Sequence, residues 1–101
     1  MDTELIDQKI KNILKDLREA HVHSEKFYAK QLNPGESVKP TDIYDMALAF
    51  ENEQRIFIDL ELARSEKYPS WYTSEKIESL IKERDRLTHR IRAWQNRQFP
   101  S

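Results

Sequence analysis

The sequence contains no cysteine and only one glycine, Gly35. Without cysteine it has neither a disulfide framework nor a thiolate metal site, so we expect a protein suited to a reducing compartment such as the cytoplasm. A single glycine disfavours sheet proteins built on tight turns. It also rules out glycine-rich phosphate-binding loops and nucleophile elbows. The motifs of most common enzyme classes are therefore missing.

Long apolar runs are also missing. Residues 1–16 lack the basic start and the unbroken apolar stretch of a signal peptide, and no segment approaches the ~20 apolar residues of a membrane span. Charged residues make up 35% of the chain. This composition is typical of long solvated helices. We expect a soluble, cytoplasmic, all-α protein with one helical domain over residues 1–101.

Apolar residues recur at alternating spacings of three and four in three stretches, which is the pattern of one helix face. We predict helices over about residues 3–32, 42–67 and 74–98. The connections 33–40 and 68–73 both contain proline, which ends a helix. Short connections between helices of similar length favour an antiparallel three-helix bundle or elongated coiled-coil-like hairpins.

The second predicted helix carries apolar residues on more than one side, which makes it the central element. Its main stripe consists of Ile43, Met46, Phe50, Glu53, Phe57, Leu60 and Arg64. Leu48, Ile58 and Leu62 lie away from its main stripe. Two flanking helices do not cover all of these positions, so we predict that the three residues meet a protein partner. A second copy of the chain, giving a homodimer, would supply this cover.

Three aromatic residues, Tyr68, Trp71 and Tyr72, fall within five positions of the second connection. Aromatic side chains are enriched at binding hot spots, so we predict that they also contact a partner. The alternative is that they close one end of the bundle.

A polar layer is predicted near the middle of the bundle. With symmetric connections, residues that face each other have numbers adding to about 74 across the first and about 141 across the second. Glu53 then lies level with His21 and with Thr88 or His89, and Arg84 lies one turn away. One interpretation is a part-buried Glu53–Arg84 ion pair that fixes helix register. The other is a pocket of Glu53, Arg84 and His89 that holds a phosphate or carboxylate.

The segment Arg84-Asp85-Arg86-Leu87-Thr88-His89 resembles the RxxxxH motif of HEPN-type ribonucleases. In that family the arginine and histidine act on the scissile phosphate, usually across a dimer. The resemblance implies catalytic roles for Arg84 and His89 on RNA. We keep this as the alternative to a non-enzymatic protein.

A basic face is predicted on the third helix, where Lys82, Arg86, Arg90 and Arg97 share one side. It is suited to nucleic-acid phosphates, and this is a further alternative. It also complements the acidic second helix, and a net charge of −1 is unlike that of a dedicated nucleic-acid binder. His21 and His23 point to different sides of a helix, so we predict no metal site and no cofactor.

These features favour a small non-enzymatic protein–protein interaction module that self-associates. An adaptor, an assembly chaperone and an inhibitor of a larger protein all fit this description. The partner-facing residues would be Tyr68, Trp71, Tyr72, Leu48, Ile58 and Leu62.

Overall fold

The computed structural model describes residues 3–31 and 40–96, with side chains over 4–27 and 44–96. Helix α1 runs over Thr3–Gln31, α2 over Pro40–Lys67 and α3 over Ser74–Gln95. One turn of 3-10 helix, Pro69–Trp71, joins α2 to α3. This part of the chain contains no strand. The all-α class is confirmed, and the three helices form a bundle.

The helix boundaries lie close to those predicted. Helix α2 begins at Pro40, two residues early, because proline suits the first turn, where its missing N–H has no partner to lose. Helix α3 begins after Thr73, whose hydroxyl accepts a hydrogen bond from the Lys76 N–H at 3.1 Å. It ends at Gln95, three residues short of the predicted end. Residues 32–39 and 97–101 lie outside the described residues.

Helix α2 is the central helix. Among the described residues no Cα atom of α1 lies within 8 Å of one in α3, whereas both helices pack on α2. On α2, Ala49 and Glu53 contact α1, and Tyr44 and Glu51 contact α3. At 3.6 residues per turn these two sets lie on roughly opposite sides of α2. The three helices therefore lie side by side, with both outer helices resting on the middle one.

The core follows the apolar periodicity on α1 but departs from the main stripe on α2, where Ile58 is buried and Phe57 is exposed. On α1 the residues at alternating spacings of three and four are buried or half-buried: Ile6, Ile10, Ile13, Leu17, Ala20 and Ser24. The buried apolar residues of the other helices are Ala49, Ile58, Leu60, Ala63, Leu87 and Ile91. Ser24 is fully buried, and its hydroxyl donates to the Ala49 carbonyl at 3.4 Å. The core is thus small and centred on α2.

No described helix has an apolar stretch long enough to cross a bilayer.

Candidate functional site: a groove on the central helix

One turn of α2 is open to solvent. Between Tyr44 and Ser65 every position is buried or half-buried except Gln54 and Phe57. The Phe57 side chain is 50% exposed. Both residues line a groove of about 560 Å³, here called the Phe57 groove. Its lining comes from all three helices: Leu17, His21, Glu53, Gln54, Phe57, Ile58, Glu83 and Leu87.

The Phe57 groove combines an apolar centre with polar edges. Phe57 and Ile58 come from the central helix, and Leu17 and Leu87 from the two outer helices. A groove with an apolar centre accepts an apolar side chain or an amphipathic helix better than a small polar ligand. It holds no nucleophile and base in contact, so its geometry favours binding over catalysis.

His21 joins α1 to α2 at one edge of the Phe57 groove. Its Nδ1 atom lies 2.7 Å from Glu53 Oε1, and its Nε2 atom lies 3.1 Å from Glu25 Oε1. Only the protonated imidazole can donate from both nitrogens. The hydrogen bond to Glu53, with a smaller contribution from Glu25, accordingly raises the pKa of His21 above its ordinary value. In its protonated form the ring bridges two carboxylates.

An arginine–glutamate pair lies at the opposite edge, on α3. The Nη2 and Nε atoms of Arg86 lie 2.5 and 3.0 Å from the two carboxylate oxygens of Glu83. This two-pronged hydrogen bond lowers the pKa of Glu83 and raises the pKa of Arg86. Both edges of the groove therefore carry charges of both signs.

The predicted Glu53–Arg84 ion pair is wrong. Glu53 binds His21, and the carboxylate recorded beside Arg84 is its neighbour Asp85, at 3.8 Å. Arg84 is 40% exposed and lines a second groove, with Asp59 and Leu62, on the opposite face of α2. The register itself was correct, because His21 and Glu53 meet as predicted. The error was to place Arg84 on the same side of α2 as Glu53.

The residues of the ribonuclease alternative do not converge on one another. His89 is exposed, whereas Arg84 is half-buried in the second groove. Five residues along a helix turn the side chain by about 140°, so the two point to different sides of α3. Glu53, which was predicted to share a pocket with these two residues, binds His21 of α1.

Two of the four residues of the predicted basic face are paired within the chain. Arg90 Nε lies 2.5 Å from Glu51 Oε1 on α2, and Arg86 binds Glu83. Lys82 is exposed. Arg97 lies outside the described residues. The interpretation in which α3 complements the acidic α2 has direct support in the Glu51–Arg90 contact.

The apolar residues predicted to meet a partner occupy different places. Ile58 is 8% exposed, so the chain itself covers it, against the expectation that it needs a partner. Leu62 and Leu48 are half-buried and line grooves on the face of α2 opposite Phe57. Helix α2 is better covered by α1 and α3 than its sequence pattern indicated, since they pack on two opposite sides.

The three aromatic residues of the connection between α2 and α3 differ in their surroundings. The rings of Tyr68 and Trp71 stack with centroids 4.2 Å apart, and Trp71 is 71% exposed. The hydroxyl of Tyr72 lies 3.4 Å from Glu61 Oε2, which fixes it against α2. Exposure of Tyr68 and Trp71 is what a partner contact requires, and that role stays a prediction.

Sequence reasoning missed Phe57 as a site residue, because it was assigned to the buried stripe of α2. A signal was present, however. Phe57 follows Glu53 by one turn, and a charged residue at a stripe position marks the end of tight cover on that side.

No protein-family model, curated protein or solved structure matches this chain. Within the described residues no cluster of three histidine or carboxylate side chains is suited to a metal ion.

Proposed function

We propose that the protein is a non-enzymatic interaction module that self-associates through the Phe57 groove. The observation that supports this proposal most is the half-exposed Phe57 ring on the central helix, where the only other exposed position between Tyr44 and Ser65 is Gln54. Domains usually consist of two packed layers around one core, and three helices side by side form a single layer. A second layer against Phe57 completes the arrangement.

The occupant of the groove is a second copy of the chain. Two-fold dimers place the same patch on both subunits, so an apolar residue near the axis meets its own counterpart. Phe57 lies on the middle helix, with an outer helix on each side, and is therefore suited to a position near such an axis. A net charge of −1 adds little long-range repulsion between copies. The groove edges carry charges of both signs, which allows the patch to pair with itself.

Phe57 is preferred to the second groove for a chemical reason. The second groove also contains apolar residues, Leu5, Ile13 and Leu62, but six of its nine lining residues are polar or charged, and water solvates these well: Gln8, Lys9, Asn12, Asp59, Glu66 and Arg84. The Phe57 groove has apolar side chains at its centre. Burying the exposed half of a phenyl ring stabilises a complex by about 1 kcal/mol or more, since full burial of such a side chain is worth roughly 1.5–3 kcal/mol.

The absence of cysteine suits a reducing compartment, and we propose that the module acts in the cytoplasm.

The proposal is tested by the mass of the particle in solution. We expect sedimentation equilibrium at pH 6 and tens of micromolar protein, a range typical of weak dimers, to give a dimer. Phe57→Asp should give a monomer of unchanged helicity. The matched control is Val22→Asp, because Val22 is 52% exposed but lies outside the groove. A monomeric parent protein, or a Phe57→Asp variant that still dimerises, contradicts the proposal.

A further inference from the structure

The two edges of the Phe57 groove differ in how their charge depends on pH. At the α3 edge Glu83 is held by Arg86, which keeps its charge at all ordinary pH values. At the α1 edge Glu53 is held by His21, whose charge changes near neutral pH. The charge beside Phe57 therefore depends on one imidazole.

We infer that His21 makes self-association pH-dependent: bridged between Glu25 and Glu53, the protonated ring neutralises the groove edge, and its deprotonation weakens the dimer. This inference rests on the proposed self-association. Its geometric basis is the pair of short contacts from the two ring nitrogens, 2.7 Å to Glu53 and 3.1 Å to Glu25. They tie the ring to two helices at once.

The charged groups around His21 determine the sign. Glu25 faces it from α1 and Glu53 from α2, while Glu83 with its partner Arg86 lies across the groove on α3. With His21 protonated, these five groups sum to −1. With His21 neutral, they sum to −2. The second copy brings an identical cluster, so repulsion across the interface grows when the proton leaves.

Glu53 links the protonation of His21 to the interface around Phe57. It lies one helical turn from Phe57 on α2, so an interface centred on Phe57 brings the two copies of Glu53 near each other. A neutral imidazole donates only one hydrogen bond, which leaves one of its two carboxylates without that partner. Covering such a carboxylate with a second protein costs more than covering a paired one. The raised pKa of His21 agrees with this arrangement.

The test measures the dimer dissociation constant by sedimentation equilibrium from pH 5.5 to pH 8.5 at constant, low ionic strength. For the parent protein we expect a weakening on the order of tenfold across this range, a usual size for coupling between two binding events. His23→Gln is the matched control, because His23 lies on another side of α1 and should leave the pH dependence unchanged.

Two further variants should shift the dissociation constant in opposite directions. His21→Gln should hold the dissociation constant near the weak, high-pH value and remove its pH dependence, because the neutralising charge is gone. Glu53→Gln should tighten the dimer at every pH and reduce the pH dependence, because the cluster then sums to 0 with His21 protonated and to −1 with His21 neutral. A merely structural role for the pair would weaken the dimer in both variants.

The outcomes separate the inference from the function on which it rests. A parent dimer whose dissociation constant does not change with pH, or a His21→Gln dimer that keeps the parent's pH dependence, overturns the role of His21 and leaves self-association standing. A parent protein that is monomeric at every pH overturns both. Circular dichroism at each pH checks that the compared species are equally helical.

Discussion

Glu51 and Glu53 are two residues apart on α2 and bind opposite neighbours. Glu51 accepts a hydrogen bond from Arg90 of α3, and Glu53 pairs with His21 of α1. Two residues turn a helix by about 200°, so adjacent carboxylates can serve both outer helices. The polar stretch in the middle of α2 thus connects two helices whose described residues have no Cα atoms within 8 Å of each other.

The His21–Glu53 contact should make folding stability fall with rising pH. The folded-state pKa of His21 is raised above its ordinary value of 6.5, so the contact stabilises fully below that pH. Its contribution is lost as pH rises through the raised pKa. Urea unfolding of dilute protein at pH 5.5 and pH 8.5 measures the effect. His21→Gln should remove it and His23→Gln should not, whereas equal slopes in the two variants would assign it to another group.

The Glu51–Arg90 contact should matter more than an exposed pair. The Glu51 side chain is only 13% exposed, and its buried Oε2 atom has no hydrogen-bond partner in the described part of the chain. Arg90→Met removes the hydrogen-bond donor to this carboxylate. It should lower the free energy of unfolding by about 1.5–3 kcal/mol, the range for hydrogen bonds to charged groups. Arg86→Met, which removes an exposed pair, is the control and should change stability little.

Replacing both members should recover much of that loss. In a Glu51→Met/Arg90→Met double variant no buried charge is left unpaired, and the new side chains fill similar volumes. Denaturant unfolding of the parent, both single variants and the double variant forms a complete cycle. Additive losses in the double variant would show that the two residues act independently.

Leu87 should be among the most sensitive core positions. It is 1% exposed and packs against α2 at the floor of the Phe57 groove. Leu87→Ala should lower the free energy of unfolding by about 2–5 kcal/mol, because buried apolar surface is lost and a cavity is left behind. Leu5→Ala, at a leucine that is 71% exposed, should barely change the unfolding midpoint. Comparable losses in the two variants would contradict the assigned packing of α3.

Ser24 should tolerate a smaller side chain but not a larger one. It is completely buried where α1 meets Ala49 of α2, and its 3.4 Å hydrogen bond is long. Ser24→Ala should therefore change stability by less than about 1 kcal/mol. Ser24→Leu should cost about 1–3 kcal/mol because the added atoms push the helices apart. Thermal melts of both variants measure the difference, and a Leu variant as stable as the Ala variant would mean that the helices are not in close contact here.

Purified protein should leave RNA intact without added metal. Arg84 and His89 point to different sides of α3, and the second groove is lined by Arg84 but not by His89. Gel analysis of labelled RNA incubated with the parent protein tests this. Cleavage that disappears in both Arg84→Ala and His89→Ala, with helicity unchanged, would restore the ribonuclease alternative.

The level of a residue along the bundle axis could be predicted from the sequence. The side of the helix on which that residue lies was harder to predict. Antiparallel register brought His21 level with Glu53, because heptad spacing and proline-limited helix ends define length. The same rule places Glu51 level with Arg90, and these two residues are in contact. It did not show which side of α2 each outer helix occupies. That choice depends on packing of α1 and α3 against a helix with apolar residues on several sides, which is why Arg84 was misplaced.

Phe57 shows the same limit at a single residue. Its spacing from Leu60 and Phe50 is that of a buried stripe, and a closed triangle of helices would have buried it. In the side-by-side arrangement it faces outward between the two outer helices. The local sequence pattern cannot distinguish a closed triangle of helices from the side-by-side arrangement, because both bury most of the same residues.

The lack of close backbone contact between the described parts of α1 and α3 also has a kinetic consequence. Among the described residues, backbone contacts within 8 Å between the long helices join only elements that are adjacent along the chain, α1 to α2 and α2 to α3. In such a topology each hairpin can form from its connection outward, so folding is expected to be fast. Each outer helix can also detach while the other hairpin stays formed. Amide hydrogens at the centre of α2 should then exchange only when both outer helices open, which makes the middle of the chain its slowest-exchanging part.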